Sequence, residues 1–414
     1  MSEKQFNRWI IVVFAILVQL ALGAIYSYGI IKPELENAFA ADPTTALMPF
    51  AFGLLFFAII MIFAGRWQDK AGPKIVAMFG GIVLTAGYVL SGVLTLVATN
   101  IWVIVITYGI IGGSGIGFGY VCPIACASKW FPDKKGLITG LAVAGFGAGA
   151  FIFNLVFDAL LGDVATLNSI STTFIVSGVL MGSMVIIGGF FLKNPPAGFK
   201  PEGWEPPAPA SSPSGVVKVD WEPTEVLKTS SFWLLWAMFI CSAICGLMVI
   251  GNYVSYGMKI APDEAVAIAA IIGGIAALFN GLGRVAWGKL SDNIGRQNTM
   301  KIMFGIQGAT MIIFALVPNI VVWAILVQVL YFCFGGNFSL FPSATGDYFG
   351  SKNLGADYGM VFTAYGIAGI VGAVAATPML NALGGNYLGY FLLFGILSLA
   401  ALGMAFIVKP PVKK

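Results

Sequence analysis

Long apolar runs follow one another along this chain, and short polar turns separate each run from the next. A helix needs about 20 mostly apolar residues to cross the hydrocarbon core of a bilayer. The strands of a membrane β-barrel would instead appear as short segments of alternating polarity. The pattern therefore predicts an all-α protein with twelve transmembrane helices. The runs begin near Trp9, Ala46, Ile75, Ile101, Gly136, Ile170, Ser231, Ala265, Asn298, Ile320, Gly355 and Leu388.

A polar segment interrupts this series after the sixth run. Its sequence, NPPAGFKPEGWEPPAPASSPSG, is rich in proline, serine and glutamate and is too polar to cross a membrane. We interpret the segment as a cytoplasmic linker between two halves. The predicted organisation is a six-helix bundle at 1–193, a linker at 194–229 and a second six-helix bundle at 230–414.

The composition is that of a protein embedded in a membrane. Among the 414 residues, 58% are hydrophobic and 10% are charged, and the mean hydropathy is +0.91. Soluble domains carry roughly a quarter charged residues. These values exclude a soluble globular protein.

The basic residues divide unequally between the two ends of the predicted helices. Nineteen of the 22 fall at one end, whereas Lys32 and Lys259 fall at the other and Arg284 lies within a run. Because loops rich in Lys and Arg stay in the cytoplasm, we predict a multi-pass protein of the plasma (inner) membrane with both termini cytoplasmic. The net charge of +4 then reflects topology, so we expect a lipid bilayer and no nucleic acid as a partner.

The two halves repeat each other. The turn after the second run (GRWQDKAGPK, 65–74) and the turn after the eighth run (GKLSDNIGRQ, 288–297) both read G-basic-x-x-D-x-x-G. In each copy the aspartate can accept hydrogen bonds from exposed N–H groups at a nearby helix start. A second repeated pair consists of Pro123 before Trp130-Phe131 and Pro342 before Tyr348-Phe349. A duplicated six-helix unit explains both, and parallel repeats of this kind occur in one large class of secondary transporters.

Arg284 is the one charge in the apolar stretch from Ala265 to Trp287. An ionisable residue inside a membrane span is costly and is a functional-site hypothesis by default. The planar guanidinium suits a carboxylate, which it can bind through two parallel hydrogen bonds. The alternative is a structural role, in which the side chain extends past Gly288 to the cytoplasmic interface.

The paired loop resembles the signature of the major facilitator superfamily, and this resemblance covers essentially the whole chain. Several shorter strings resemble the oxalate/formate antiporter group and its relatives, the monocarboxylate transporters. The resemblance implies a carboxylate transporter of twelve helices, with Arg284 in the substrate cavity. The strings are Asn7-Arg8-Trp9, KWFPDKKGLITG at 129–140, Phe232-Trp233-Leu234-Leu235-Trp236, Leu278-Phe279-Asn280-Gly281 before Arg284, and Leu340-Phe341-Pro342-Ser343.

Departures from the antiporter pattern bear on the charge of the substrate. The antiporter has a second cation, a lysine, in helix 11, and the resemblance aligns Tyr365 with that position. A second desolvated carboxylate would lack a partner here. We therefore expect a monoanion, such as lactate, pyruvate, acetate or formate, in preference to oxalate.

The resemblance also assigns aromatic residues to the cavity, and three hydroxyl- or N–H-bearing positions of the antiporter read Phe146, Phe334 and Phe338 here. A less polar cavity suits a carboxylate with a small apolar tail. Tyrosines in the middle of a span are further candidates because a buried hydroxyl needs a hydrogen-bond partner. The predicted substrate-binding residues are Arg284, Asn280, Tyr331, Tyr365, Tyr120, Phe338, Phe362, Phe334, Tyr26 and Phe146.

The coupling mechanism stays open between proton symport and anion exchange. The monocarboxylate transporters carry an aspartate where this chain has Asn280 and a lysine in helix 1 where it has Tyr26, and the chain has no histidine. The other acids near the spans lie close to helix ends, and we interpret each as an interfacial or capping carboxylate. They are Asp158, Asp263, Glu264 and Asp357.

Other functional classes find little support in the sequence. The five cysteines lie inside spans without a CxxC motif, and we interpret them as small packing residues in preference to a soft-metal site. We find no nucleophile, base or metal-ligand cluster, so we expect no enzyme, no metal and no cofactor. The glycine-dense segments 112–119 and 145–149 predict close helix contacts. We expect a monomeric carrier of a small monocarboxylate and, in the symport alternative, a proton.

Overall fold

The computed structural model describes residues 7–98, 100–162, 165–196, 198–201, 203, 220–317 and 319–412. Within these ranges the chain forms helices and no strand, and twelve of the helices are long and apolar enough to cross a membrane. They are α1 Trp9–Phe39, α2 Pro43–Ala71, α3 Pro73–Thr95, α4 Trp102–Trp130, α5 Lys135–Leu161, α6 Leu167–Phe191, α7 Ser230–Ile260, α8 Pro262–Ile294, α9 Arg296–Leu316, α10 Ile320–Phe349, α11 Leu354–Ala382 and α12 Tyr387–Ile407. The prediction of an all-α protein with twelve spans is confirmed.

The helices begin within three residues of the predicted positions, and local capping explains several of these starts. The Asp42 side chain accepts hydrogen bonds from the backbone N–H groups of Thr44 and Thr45, which would otherwise be unpaired at the start of α2. Asn319 caps α10 and Asn386 caps α12 in the same way. Two helices are irregular, with a 3₁₀ turn at Gly23–Ser27 inside α1 and a π segment at Val105–Gly112 inside α4.

The two copies of the repeated loop adopt the same backbone shape. Gly72 ends α2 with φ +86° and ψ 162°, and Gly295 ends α8 with φ +87° and ψ 155°. A positive φ of this kind strongly favours glycine. The last glycine of the G-basic-x-x-D-x-x-G pattern is therefore required by the sharp reversal between neighbouring helices.

Two long contacts join the first six helices to the last six, one between α2 and α11 and one between α5 and α8. Glycine makes these contacts close: a Cβ atom on Gly65 would lie 2.0 Å from the carbonyl oxygen of Gly355, and one on Gly288 would lie 2.2 Å from that of Gly136. We call the end of the bundle that carries 65–74, 129–136, 288–297 and 347–356 the basic face. These contacts close the basic face.

The predicted division at 1–193, 194–229 and 230–414 stays a prediction. Residues 197, 202 and 204–219 of the linker lie outside the described residues. The described end of the linker returns to the second half of the chain, where the Trp221 backbone N–H donates to the Phe349 carbonyl oxygen at 2.9 Å. A short helix, Pro223–Val226, then leads to α7.

Candidate functional site

Arg284 lies in α8 at the junction of the two halves and has no solvent exposure. Its Nη1 donates to the Val143 carbonyl oxygen of α5 at 2.8 Å, and its Nε donates to the Asn280 Oδ1 atom at 3.0 Å. The Cζ atom lies 4.3 Å from the ring centre of Phe338 and 5.5 Å from that of Phe146. The alternative in which this side chain extends to the interface is therefore wrong.

One part of the guanidinium is unpaired. Among the described residues the buried Nη2 atom of Arg284 has no close hydrogen-bond partner, although the Tyr26 hydroxyl lies near this side chain, and no carboxylate forms an ion pair with it. A buried charge without a counter-charge is costly. An anion placed beside Nη2 would supply both the missing charge and the missing acceptor.

Aromatic side chains from both halves surround the guanidinium. The Tyr120 ring centre lies 5.2 Å from that of Phe146 in the first half and 5.2 Å from that of Phe362 in the second half. Phe338 lies 5.1 Å from Tyr365 and 5.3 Å from Phe334. All six side chains are at most 1% exposed. The structure thus brings these predicted residues into one cluster, which we call the Arg284 cluster.

Hydroxyl groups in this cluster connect the two halves. The hydroxyls of Tyr26 in α1 and Tyr365 in α11 form a short hydrogen bond. The hydroxyls of Tyr120 and Tyr358 are buried near each other, and neither forms a close hydrogen bond with any of the described residues. The cluster therefore holds one cation and several neutral hydrogen-bonding groups, an arrangement suited to a small anion that carries a further polar group.

Tyr331 stands apart from the other predicted residues. Its ring packs edge-on against Tyr253 of α7, with 6.2 Å between ring centres. Tyr331 lies three and seven residues before Phe334 and Phe338 on α10, but among the described residues its ring does not pack against either of their rings. The structure does not bring Tyr331 into the Arg284 cluster.

Three residues of the cluster were not predicted. Phe57 of α2 lies 4.8 Å from Phe362, and Phe239 of α7 lies 6.0 Å from Phe362. Tyr358 lies 5.6 Å from the same ring. The first two lie in fully apolar runs that contain several other aromatic residues, so nothing in the sequence singles them out. Tyr358 could have been proposed, since it lies seven residues, or about two helical turns, before Tyr365 and therefore on the same side of α11.

The two repeated aspartates bind across the basic face in a reciprocal way. Asp292 of the second half accepts hydrogen bonds from the backbone N–H groups of Gly136 and Leu137, both at 2.8 Å, at the start of α5. Asp69 of the first half accepts one from Ala356 at 3.0 Å, at the start of α11. The prediction that these aspartates accept from a nearby helix start is confirmed, and each helix start belongs to the opposite half.

A network of charges reinforces one side of the basic face. The Nε atom of Arg296 lies 2.7 Å from Asp347 Oδ2, and its Nη1 lies 2.7 Å from Asp292 Oδ1. Lys135 of the first half pairs with Asp347 at 3.2 Å. On the other side, Lys129 pairs with Asp69 at 3.6 Å. Of these pairs only Lys135–Asp347 joins the two halves, so this pair must break when the face opens, whereas the other pairs hold Asp69, Asp292 and Asp347 in place within their own halves.

The acids near the spans differ in their surroundings. Asp158, Asp263 and Glu264 are exposed near helix ends, in agreement with an interfacial role. Asp357 is fully buried, and neither of its carboxyl oxygens has a hydrogen-bond partner. The interpretation of Asp357 as an interfacial or capping carboxylate is wrong, because α11 uses Asp69 of the other half for that purpose.

The cysteines and the other possible ligands form no metal site in the part of the chain that the structure describes. All five cysteines are free, and no three His, Cys, Asp or Glu side chains lie close enough to hold an ion. The Cys245 thiol donates to the Cys241 and Phe394 carbonyl oxygens, both at 2.9 Å. Such contacts are those of a small packing residue.

The chain is similar in sequence to several membrane transporters. A family model described as the Major Facilitator Superfamily matches residues 12–373. The "Oxalate:formate antiporter" of Oxalobacter formigenes is 30% identical over 99% of this chain and 94% of that protein. The "Uncharacterized MFS-type transporter YhjX" of Escherichia coli K12 is 30% identical over 89% of this chain and 87% of that protein. "Apicoplast pyruvate carrier 1" of Toxoplasma gondii is 27% identical over 73% of this chain and 63% of the carrier.

Solved structures show the same fold at lower identity. The transporter FucP in its outward conformation covers 96% of this chain and 98% of its own, with a TM-score of 0.71 and 15% identity. The human organic anion transporter MFSD10 covers 97% and 100%, with a TM-score of 0.70 and 12% identity. At these identities the likeness concerns the arrangement of the twelve helices.

Proposed function

Because this chain belongs to the Major Facilitator Superfamily of membrane transporters, we propose that it carries small monocarboxylates across the membrane as a secondary active transporter. The substrates are acids of the lactate and pyruvate type. Transport proceeds by proton-coupled symport with alternating access, in which the site near Arg284 opens first to one side of the membrane and then to the other.

The observation that carries this proposal is the buried, unpaired Nη2 atom of Arg284. A carboxylate could accept hydrogen bonds from Nη2 while Arg284 keeps its contacts with Asn280 and Val143. The guanidinium would then have both an acceptor for each of its nitrogen atoms and a counter-charge. Hydrogen bonds to charged groups contribute about 1.5–3 kcal/mol each. The aromatic walls suit a short apolar tail, and the Tyr120 hydroxyl suits the second polar group of lactate or pyruvate.

A single cation favours one carboxylate over two. Tyr365 stands beside Tyr26 where a second cation would be needed for a dianion. Desolvating a second carboxylate without a partner costs several kcal/mol. One relative is named as an antiporter of oxalate and formate, and another is named as a pyruvate carrier. These names support a small carboxylate as the substrate.

The proposed transport cycle uses the closed basic face as one of its two end states. We place this face in the cytoplasm of a cell with a plasma (inner) membrane, since it carries most of the basic loops. The two bundles, 1–193 and 230–414, move relative to each other. In this movement α2 separates from α11 and α5 separates from α8. The unit is a monomer.

Counterflow in proteoliposomes tests the proposed function. Vesicles loaded with unlabelled lactate should accumulate labelled lactate from outside, and pyruvate should compete, because a carrier exchanges its substrate across the membrane. A channel or a receptor of the same fold would show no such accumulation. Absence of counterflow with a panel of one- to four-carbon monocarboxylates would overturn the proposal.

Anion exchange is a second candidate, favoured by Asn280 at the position where the monocarboxylate transporters have an aspartate. An imposed pH gradient, in vesicles that contain no counter-anion, separates the two mechanisms. Symport predicts accumulation of labelled lactate under these conditions. Exchange predicts no accumulation until a second anion is placed inside the vesicles.

The change Tyr365→Lys should improve oxalate binding. The lysine supplies a second cation close to Arg284, and a charge-assisted hydrogen bond contributes about 1.5–3 kcal/mol. The oxalate concentration needed to compete with labelled lactate should therefore fall by at least about tenfold. The competition is measured in counterflow. Tyr365→Phe is the control, because it alters the hydroxyl without adding charge. Oxalate that already competes as well as pyruvate in the unmodified chain would contradict the one-cation argument.

The change Gly65→Ala should prevent the basic face from closing fully. Its Cβ atom would lie 2.0 Å from the Gly355 carbonyl oxygen, and such overpacking costs about 1–3 kcal/mol. The maximal rate of counterflow should fall accordingly. Gly29→Ala is the matched control, since nothing lies within 4 Å of an added Cβ there. Equal rates for both variants would show that this contact is not part of the transport cycle.

A further inference from the structure

Asp357 is a buried acid that the substrate site does not use. It lies in the first turn of α11, with no solvent exposure and with no hydrogen-bond partner for either carboxyl oxygen. The exposed N–H group at this helix start, that of Ala356, is already taken by Asp69 at 3.0 Å. A charged carboxylate at 357 would therefore receive no hydrogen bond from its own helix.

The charged groups around Asp357 are themselves carboxylates. They are Asp69 from α2, and Glu222 and Asp220 from the segment before the short helix Pro223–Val226. Nearby lysines are engaged with these acids, since Lys129 pairs with Asp69 and Lys352 pairs with Glu222 at 3.2 Å. Asp220 accepts from the backbone N–H groups of Ser351 and Lys352.

Among the described residues, the other helices packed against α11 supply no cation to Asp357. On α10, Asp347 is occupied by Arg296 and Lys135. Helix α12 has no charged residue, and the one charge on α7 is Lys259 near its opposite end. Arg66 and Lys70 line a pocket of about 310 Å³ beside Ala356, together with Asp69 and Glu222.

A buried carboxyl group without partners is far less costly as the neutral acid than as the anion. One of the opposing carboxylates, Asp69, belongs to the first half of the molecule, whereas Asp357 belongs to the second half. Closure of the basic face brings these two acids together, and opening separates them. The state of charge of Asp357 is thus tied to the position of the two halves.

We propose that Asp357 is a proton-binding site of this transporter, which takes up one proton as the basic face closes and releases it as that face opens. The inference rests on the alternating opening contained in the proposed function, but it does not depend on which carboxylate is carried. On this proposal the proton of the transport cycle binds to Asp357 on α11, and Asn280 on α8 takes no part in proton binding.

The direction of the pH effect follows from this assignment. The closed form holds the proton and the open form loses it, so raising the pH favours the open form. The ratio of closed to open molecules should fall by up to about tenfold for each pH unit while the group titrates. Substitution of Asp357 by a residue that cannot titrate should abolish this dependence.

Distance measurements between spin labels on the two halves test the proposal. Ala71→Cys and Asn293→Cys place labels at exposed, uncharged positions on the ends of α2 and α8, in a Cys241→Ala background that leaves four buried native cysteines. In the otherwise unmodified chain the short-distance population should decline from mildly acidic to mildly alkaline pH. With Asp357→Asn added, that population should stay high and constant.

Two further variants keep the test decisive. Asp158→Asn, an exposed acid at the end of α5, should follow the unmodified pH profile. Glu222→Gln leaves Asp357 in place but removes one opposing carboxylate, so its transition should move to lower pH. A pH profile in Asp357→Asn equal to that of the parent, or no pH dependence in the parent, would overturn the proposal. Failure of the proposed function would appear separately, as absence of lactate counterflow in the unmodified chain.

Discussion

Replacing Arg284 with glutamine should lower lactate counterflow, measured as kcat/KM in proteoliposomes, by at least about 100-fold. Two charge-assisted hydrogen bonds to a carboxylate contribute about 3–6 kcal/mol together, and every 1.4 kcal/mol corresponds to about a tenfold change. Glutamine removes the charge and the paired N–H groups while keeping part of the side-chain volume. The kcat/KM of Arg284→Lys should lie between those of the unmodified chain and Arg284→Gln, because lysine keeps the charge but lacks the planar guanidinium that contacts Val143 and Asn280.

The matched control for this prediction is Lys259→Gln. Lys259 is an exposed cation near the opposite end of the bundle, where it donates to the Gly385 carbonyl oxygen at 3.1 Å. Its loss should leave both the rate and the affinity for lactate unchanged. Unaltered lactate affinity in Arg284→Gln would show that the substrate anion binds elsewhere.

The number and order of the helices could be predicted because each span needs the same length of apolar chain. The repeated loops could be predicted in more detail, since Asp69 and Asp292 occur in a fixed pattern beside a glycine with positive φ. Even their task of accepting hydrogen bonds from a helix start was foreseeable. Which helix start each aspartate binds could not be predicted, because the sequence of a loop carries no information about its contacts with the opposite half of the molecule.

The rotation of each helix was the main feature that the sequence left undetermined. In a membrane both the lipid-facing side and the packed side of a helix are apolar, so periodicity separates them poorly. Phe57 faces the Arg284 cluster, whereas Phe63 on the same helix is 58% exposed, and the sequence treats both as aromatic residues in an apolar run. The family resemblance supplied most of the cluster, whereas Tyr331, which was predicted only as a buried hydroxyl in the middle of a span, lies outside it.

The polar residues show the same limit from another direction. Arg284 stood out because a cation inside a span is rare. Asp357 did not stand out, because it is the fourth residue of its helix, and carboxylates are common in the first turn, where they can cap the helix start. Only the contact between α2 and α11 reveals that Asp69 has taken the capping position and left Asp357 buried without a partner.

Replacing Arg296 with glutamine should destabilise the second half, and with it the closed basic face, by about 3–5 kcal/mol, because losing one partner of a buried ion pair is costly and because Asp292 and Asp347, which contact the first half, lose the side chain that holds them. The side chains of Arg296 and Asp347 are 4% and 2% exposed, and Asp292 depends on the same guanidinium. The variant should melt at lower temperature in detergent, and labels at Ala71→Cys and Asn293→Cys should report a larger open population. Lys289→Gln, an exposed cation on the same face, is the control.

A second substitution separates a charge effect from a loss of packing. Asp347→Asn in the Arg296→Gln background removes the buried carboxylate that the first change leaves with Lys135 as its remaining partner, so the double variant should recover part of the lost stability. The non-additive part of such a cycle measures the coupling between the two side chains. Additive losses would mean that Arg296 acts through packing alone. An unchanged melting temperature and label distance in Arg296→Gln would show that the glycine contacts hold the face closed without this network.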